Sequence, residues 1–310
     1  MLENLPKTLI GVLRYFDDPQ VAIDFVKFLR WGDGDPVCFH CGETGAYFLA
    51  SRKIYKCKKC RKQFSVKMGT IFEESAVSLD KWLAAIWLIA NCKNGISSYE
   101  TARHLGVRQR TAWFMNHRIR TAMTVGSIEK LSGTIECDET YIGGLGKNMH
   151  IPKRKEVKIM TGGSSKTAVM GIIQRKGRVK AQVIKAATNE ILQAVIEENV
   201  AAGSTVMTDA HRGYHQMSEE FLHEVINHSI EYVRDNVHTN NIENFWSLLK
   251  RTIKGTYISV SPAHLQKYVE EQMFRYNERK GTDQQRFVSL IELISGKRLT
   301  YSKLVGYEIS

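Results

Sequence analysis

Apolar positions along the chain follow two periods, and the change from one to the other divides it. Over residues 79–91 they fall on every side of a helical turn, the pattern of a buried helix. Ser97-Ser98-Tyr99-Glu100 then reads as a capping box, with Ser97 as N-cap and Glu100 at N3. The short helix it opens runs through Leu105 and ends at Gly106-Val107, and a second is expected from near Arg108 to about Met123. Two helices joined by a tight glycine turn predict a helix-turn-helix. From about Gly133 the period becomes two. Residues 134–142 alternate apolar and polar and stop at Gly143-Gly144, a strand followed by a turn. Residues 168–174 and 179–184 are β-rich and flank Arg175-Lys176-Gly177-Arg178, a hairpin signal. A helix is expected over 188–199 with Thr188 as N-cap, then a short strand over 204–208 that runs into Asp209. A further helix is expected over 240–254, with Ile242, Phe245, Trp246 and Leu249 at core-facing spacing, and another over 262–279. The fold class is therefore multidomain, a helical N-terminal part followed by a mixed α/β domain.

A chain of 310 residues has room for two or three domains, and 43% hydrophobic with 25% charged residues excludes wholesale disorder. The longest apolar run, 82–90, is too short to cross a bilayer, and residues 1–14 carry Glu3 and no small-residue cleavage site. A cytoplasmic protein is expected. Charge adds direction: 44 Lys and Arg against 32 Asp and Glu leave +12, which favours an anionic partner such as nucleic acid. The cations are grouped. Residues 51–68 hold eight and no acid, and residues 145–180 hold ten against the single Glu156. Blocks of this kind track phosphates.

Six cysteines are present, and four form one pattern: Cys38-x2-Cys41 and Cys57-x2-Cys60, fifteen residues apart. This is the spacing of a four-thiolate zinc ribbon, with Gly42 available for a positive φ. The alternative is two disulfides, disfavoured in a chain without a secretion signal. With all four positions filled by sulfur, the zinc is expected to be structural. His40 is a competing ligand, but four thiolates complete the site. Lys56, Lys58, Lys59, Arg61 and Lys62 surround the second knuckle and are candidates for DNA contacts. Cys92 and Cys137 read as small core residues. On the second helix of the helix-turn-helix, Arg108, Gln109 and Arg110 occupy the end that enters a major groove, where Arg and Gln read guanine and adenine edges. The alternative there is an ordinary helical hairpin with solvated arginines.

Three acids in the α/β part stand where strands end or a helix begins: Asp138 within the first strand, Asp209 just beyond a later one, and Glu243 on the first turn of a helix. Gathered in space, three carboxylates are what two Mg2+ ions require, being hard oxygen ligands with positions left for water and phosphate. Glu136 and Glu139 beside Asp138 read as solvated surface charges.

The words around these acids carry a resemblance. Glu136-Cys-Asp-Glu-Thr-Tyr-Ile-Gly-Gly144, Thr208-Asp-Ala-His-Arg-Gly-Tyr214 and His238-Thr-Asn-Asn-Ile-Glu-Asn-Phe-Trp-Ser-Leu-Leu-Lys-Arg251, with Phe274-Arg-Tyr-Asn-Glu-Arg279 behind them, resemble the insertion-sequence transposases of the zinc-ribbon DDE group, prokaryotic relatives of the Merlin transposons. The resemblance runs from the ribbon to about residue 280. It implies an RNase H-like catalytic domain and Mg2+-dependent cutting and joining of DNA at terminal inverted repeats. It also implies Asp138 and Asp209 as the first two metal ligands. Members of the group vary at the third ligand among Glu, Asn and His. Here Glu243 is preferred for its charge, with Asn240 on the same helical face. Lys250 matches a basic residue expected to contact a phosphate at the transposon end. Trp246 could stack on an unpaired base, although its apolar neighbours favour a core role.

The domain expectation is a helical segment over 1–35, a zinc ribbon over 36–68, a helix-turn-helix region over 69–128, an RNase H-like domain over 129–282 and a C-terminal tail over 283–310. The protein is expected to act on DNA as a homo-oligomer. Two rival readings are a DNA-binding regulator with an inert α/β domain and a metal nuclease or resolvase that cuts without joining.

Overall fold

The structure is a computed structural model, which describes residues 5–124, 129–144, 166–209, 212–214, 218–226 and 238–306. Most of the basic stretch expected over 145–180 lies outside these residues. The chain divides into two compact units, one formed by Met1–Val125 with Lys280–Ser310 and the other by Gly126–Arg279.

The first unit opens with two helices, α1 (Leu9–Tyr15) and α2 (Pro19–Trp31). Asp18 caps α2 through the backbone N–H of Gln20, with Pro19 in the first turn, where its missing donor costs nothing. Strands β1 (Ala46–Leu49), β2 (Ile54–Cys57) and β3 (Gln63–Phe64) form a small antiparallel sheet. Helix α3 (Leu79–Asn91) buries ten of its thirteen residues, as its unbroken apolar run requires. In α4 (Ser98–Leu105) the capping box is complete, and Gly106 closes the helix at φ 60° and ψ 43°, a left-handed position suited to glycine. Helix α5 (Gln109–Met123) follows.

In the second unit β4 (Thr134–Ile142) is the central strand. It pairs antiparallel with β5 (Thr167–Gln174), which continues through a tight hairpin into β6 (Val179–Ile184). Helix α6 (Asn189–Asn199) leads to β7 (Thr205–Asp209) and β8 (Leu222–Ile226), both parallel to β4's side of the sheet, giving the order β6-β5-β4-β7-β8. Helices α7 (Asn240–Thr252) and α8 (Pro262–Asn277) complete the unit. One core lies between the sheet and α6, built on Leu192, Val195 and Ile196 against Ile135, Cys137 and Ile172. The other lies between the sheet and α7 and α8, built on Ile242, Phe245, Trp246 and Leu249 against Val169 and Ile173. This is a mixed-sheet α/β domain of the RNase H-like kind.

Three expectations change. The expected tail over 283–310 is folded: α9 (Asp283–Ile291) and α10 (Tyr301–Val305) belong to the first unit. Phe287, fully buried, meets Trp87 of α3 at 5.4 Å between ring centroids. The backbone around Ile294 and Gly296 bonds to Ile71 and Gly69. Arg118 of α5 spans the junction, donating to the carbonyls of Leu299, Ile71 and Glu73. These are contacts between residues far apart in sequence, which local periodicity does not register. Second, Asp209 closes β7 instead of lying beyond it. Third, α7 ends at Thr252 and passes into a π-helical turn over Ile253–Tyr257.

Candidate functional site

The four ribbon cysteines converge. Their sulfurs all lie within 4.8 Å of one another, with Cys38 Sγ 3.6 Å from Cys60 Sγ and Cys41 Sγ 3.7 Å from Cys57 Sγ. A disulfide would hold two sulfurs at about 2.05 Å. Four sulfurs about 2.3 Å from one tetrahedral zinc would instead stand about 3.8 Å apart, so the observed spacing fits the ion. Gly42 adopts φ 74° as expected, and its amide donates to the carbonyl of Cys38. Arg61 holds the equivalent place after Cys60 at φ 60°, a strained conformation for a side chain of this size. Backbone N–H groups of Cys60 and Lys59 pull the Cys57 thiol down. At Cys41 the backbone N–H of Glu43 is outweighed by desolvation and the neighbouring thiols, which push that thiol up, so without a cation the four sulfurs in close contact do not all ionise. His40 is not a ligand: its Nε2 pairs with the carbonyl of Gln63 at 3.1 Å.

Around this centre Lys58, Lys59, Arg61 and Lys62 are exposed and Lys56 is half-buried. Lys58 Nζ lies 5.0 Å from the centroid of the exposed Tyr47 ring, and Lys59 pairs with Glu43. Lys67 departs from the block. Its ammonium donates to the carbonyls of Ser75 and Val77, and burial lowers its pKa, so it ties a loop together.

On α5 the three expected DNA-reading residues differ in setting. Arg108 is exposed at the N-cap position. Gln109 Nε2 donates to Ser98 Oγ at 2.8 Å, joining the two helices of the turn. The Arg110 guanidinium bonds to the hydroxyl of Tyr301 on α10 and lies over its ring at 5.0 Å.

In the second unit the first two acids are brought side by side by register. Glu136 pairs with Met207 across parallel β4 and β7, and Asp138 and Asp209 each stand two residues further on. Paired residues of neighbouring strands share a face, so both carboxylates leave the face that packs on α7. Asp138 Oδ2 accepts from Trp246 Nε1 at 2.9 Å, and Oδ1 accepts from the amide of Glu139 at 2.9 Å. Burial pushes the Asp138 carboxyl up to about 7, helped by the charges of Glu139 and Asp209, which outweigh these two hydrogen bonds. Trp246 is thus a core residue, 3% exposed, whose polar edge reaches the site.

Asn240 and Glu243 are both exposed on the first turn of α7, and Lys250 is exposed near its last. Glu243 Oε1 accepts from Thr239 Oγ1 at 3.2 Å. Among the described residues the four thiols form a group of ligand atoms all within 4.8 Å of one another, and Asp138, Asp209 and Glu243 do not form a second. As a donor set they fit Mg2+: carboxylate oxygens, with the Asp138 charge destabilised by burial and then by like-charged neighbours, and so favoured by a nearby cation.

Glu136 and Glu139 are not solvated charges. Glu136 is fully buried. It accepts from Arg175 Nε at 2.8 Å, from Asn241 Nδ2 at 2.7 Å, and from the amides of Asn241 and Ile242 at 2.9 and 3.2 Å. Glu139, on the opposite face of β4, accepts from the buried hydroxyl of Tyr214 at 2.8 Å. Both faces of β4 are covered, one by α6 and the other by α7, so neither acid stands on an open face as an alternating strand with one solvated face would allow. Cys137, between them, is fully buried and its thiol is pushed up by burial, the inert core residue expected.

Known proteins bear on both halves. The transposase zinc-ribbon domain matches residues 18–63, and the ISXO2-like transposase domain matches residues 130–277. An uncharacterized protein in transposable element ISH50 of Halobacterium salinarum is 27% identical over 253 residues, covering 77% of this chain and 84% of its own length.

Proposed function

The chain belongs to the insertion-sequence transposases that join a zinc ribbon to a DDE domain, and on that premise we propose that it binds the terminal inverted repeats of its element and cuts and joins DNA there. The observation that carries the chemistry is the pair Asp138 and Asp209 at matched positions on adjacent parallel strands, with Glu243 and Asn240 on the helix packed over the same face.

Asp138, Asp209 and Glu243 would hold Mg2+, with Asn240 orienting water or phosphate. When bound, Mg2+ supplies Lewis acidity to the attacking and leaving oxygens. In cleavage a water oxygen attacks the phosphorus, the bond to O3′ breaks, and a 3′ hydroxyl is left. In joining, that hydroxyl oxygen attacks a target phosphate and displaces its 3′ oxygen. Asp138 is held in one rotamer by Trp246 and the Glu139 amide, so one ligand is oriented before the reaction begins. Lys250 would bind a backbone phosphate. The ribbon would hold one structural zinc through Cys38, Cys41, Cys57 and Cys60. Its lysines, with Arg61, would follow phosphates while Arg108 and Arg110 reach base edges. Action at two ends at once would use a homo-oligomer.

Labelled end DNA incubated with Mg2+ and target plasmid tests this. Cleavage at the terminus with the 3′ end joined to target is expected. Cleavage without joining would make the protein a nuclease, and end binding without either would make it a regulator. Both outcomes overturn the proposal.

A further inference from the structure

Helix α7 carries Asn240 and Glu243 on its first turn, yet its own N-cap residue does not close that turn. Thr239 sits at φ −114° and ψ 19°, makes no side-chain bond to the helix amides, and donates its hydroxyl to Glu243. The amides at the second and third helical positions, Asn241 and Ile242, are instead closed by Glu136 Oε2 from β4. The other carboxylate oxygen takes the Asn241 side chain and Arg175 Nε, and lies 3.4 Å from His238 Nδ1. Arg175 also donates to the carbonyl of His238 at 3.0 Å, one residue before the cap, so the β5–β6 turn fixes the chain as it enters the helix. Glu136 is two residues from Asp138 on the same face of β4.

We propose that Glu136 is a positioning residue: with Arg175 it caps α7 from the sheet and thereby fixes Asn240 and Glu243 relative to Asp138. This rests on the reading of Asp138, Asp209 and Glu243 as metal ligands. The reason is mechanical. Carboxylates on a strand and on a separate helix share an ion only if the helix can neither slide nor rotate, and hydrophobic packing along α7 leaves small shifts open. A buried anion at the helix N-terminus removes them, because several charge-assisted hydrogen bonds meet on one carboxylate of fixed position. Asparagine at 241 is explained too, since its Nδ2 adds a bond that a residue without an amide would lack. Substitutions that loosen groups orienting metal ligands reduce metal affinity about 10–100-fold.

The test uses the full-length zinc-loaded protein and terbium(III), a hard cation whose luminescence is sensitised by a nearby indole. Trp246, bonded to Asp138, is the internal donor, and Trp246→Phe identifies its share of the signal. Asn241→Ala removes one side-chain bond and leaves both backbone amides, while Glu136→Gln places an amide nitrogen against donors. Half-saturation by terbium should rise about tenfold in Glu136→Gln and severalfold in Asn241→Ala. The Mg2+ concentration for half-maximal cleavage should rise with it, and end-DNA affinity should stay unchanged. If Glu136→Gln fails to fold, Asn241→Ala decides alone. Wild-type terbium affinity in folded variants, or a loss of signal that only follows loss of folded protein, overturns the positioning role. Absence of any Trp246-dependent signal in the wild type overturns the metal site itself.

Discussion

Trp246 reaches Asp138 across a glycine. In the β4–β5 register Asp138 faces Gly171, and the indole lies over that bare backbone with its Nε1 2.9 Å from the carboxylate. A Cβ at position 171 would stand 2.5 Å from Trp246 Cζ2 and 2.8 Å from Ile242 Cδ1. The backbone there is ordinary, so the absence of a side chain serves the close approach of the ring.

Gly171→Ala should therefore destabilise the second unit by about 1–3 kcal/mol, the usual cost of overpacking, and should sever the Trp246–Asp138 bond. Trp246→Phe retains most of the ring while removing the donor. Urea unfolding with cleavage assays follows both: each variant should lose stability, the alanine one by overpacking and the phenylalanine one by the space left beside a buried indole, and each should lose cleavage with the bond to Asp138. Unchanged stability in Gly171→Ala would show that the indole has room to move.

The raised pKa of Asp138 has a definite sign in stability. Its folded value of about 7 lies above the ordinary 3.8, so the fold holds a proton the unfolded chain releases. The contribution is favourable at low pH and is lost as pH rises from about 4 to about 7. At roughly 1.4 kcal/mol per unit the full loss is on the order of 4 kcal/mol. Asp138→Asn escapes it, although an amide accepts only one of the two hydrogen bonds the carboxylate receives. Without added metal, Asp138→Asn should melt above the wild type at pH 8, with the gap closing by pH 4, while cleavage is abolished. Parallel melting curves for the two proteins across that range would contradict the assignment.

Much of this was legible in the sequence because it is local. The capping box at Ser97 and Glu100, the thiol spacing and the alternation over Thr134–Ile142 each depend on residues a few positions apart. What escaped is long-range. Glu136 is buried because a helix over a hundred residues later brings its N-terminus to it, and nothing near Glu136 in sequence announces that. The role of Gln109 needed Ser98 across the turn, and the 283–310 segment needed the partners around Ile71 and Trp87. The strand β8 carries exposed Leu222 and Val225 and lacks the alternation that would have marked it.

The settings of Arg108 and Gln109 predict different losses. Arg108→Ala should narrow the preference for end DNA over random DNA by about 1–3 kcal/mol, the worth of a bidentate base contact. Gln109→Ala should leave that preference intact and cost about 0.5–1.5 kcal/mol of stability through the bond to Ser98. Binding to both DNAs at several salt concentrations, with thermal melts, checks the pair. A specificity change in Gln109→Ala larger than in Arg108→Ala would reverse the assignment.

Removal of the ribbon metal should act on one unit. Chelation, or Cys57→Ser, leaves thiols packed within 4.8 Å with no ion to hold them, and the three short strands have too little core to stay folded alone. Loss of DNA affinity is expected, with amide exchange rising across residues 38–64 and unchanged across β4 and β5. Metal analysis finding no zinc in protein purified without chelator would remove the basis for this.

Ile258 offers a test of backbone strain alone. It centres a γ-turn at φ 64° and ψ −57°, closed by the Ser259 amide on the Tyr257 carbonyl at 2.6 Å, a rare conformation for a β-branched residue. The turn is held from beneath: Tyr257 packs against Tyr268 at 4.7 Å and its hydroxyl donates to Glu271 at 2.5 Å. The side chain itself is 74% exposed, so its removal forfeits almost no burial. Strain of this kind costs about 1–3 kcal/mol, whereas glycine's extra freedom in the unfolded chain costs about 0.5–1 kcal/mol. The strain is the larger, so Ile258→Gly should raise stability by about 1 kcal/mol. Ile258→Ala keeps a Cβ in the same conformation and should change stability far less. Denaturant unfolding of the two variants against wild type decides it, and a glycine variant less stable than the alanine one would mean that the turn is not strained.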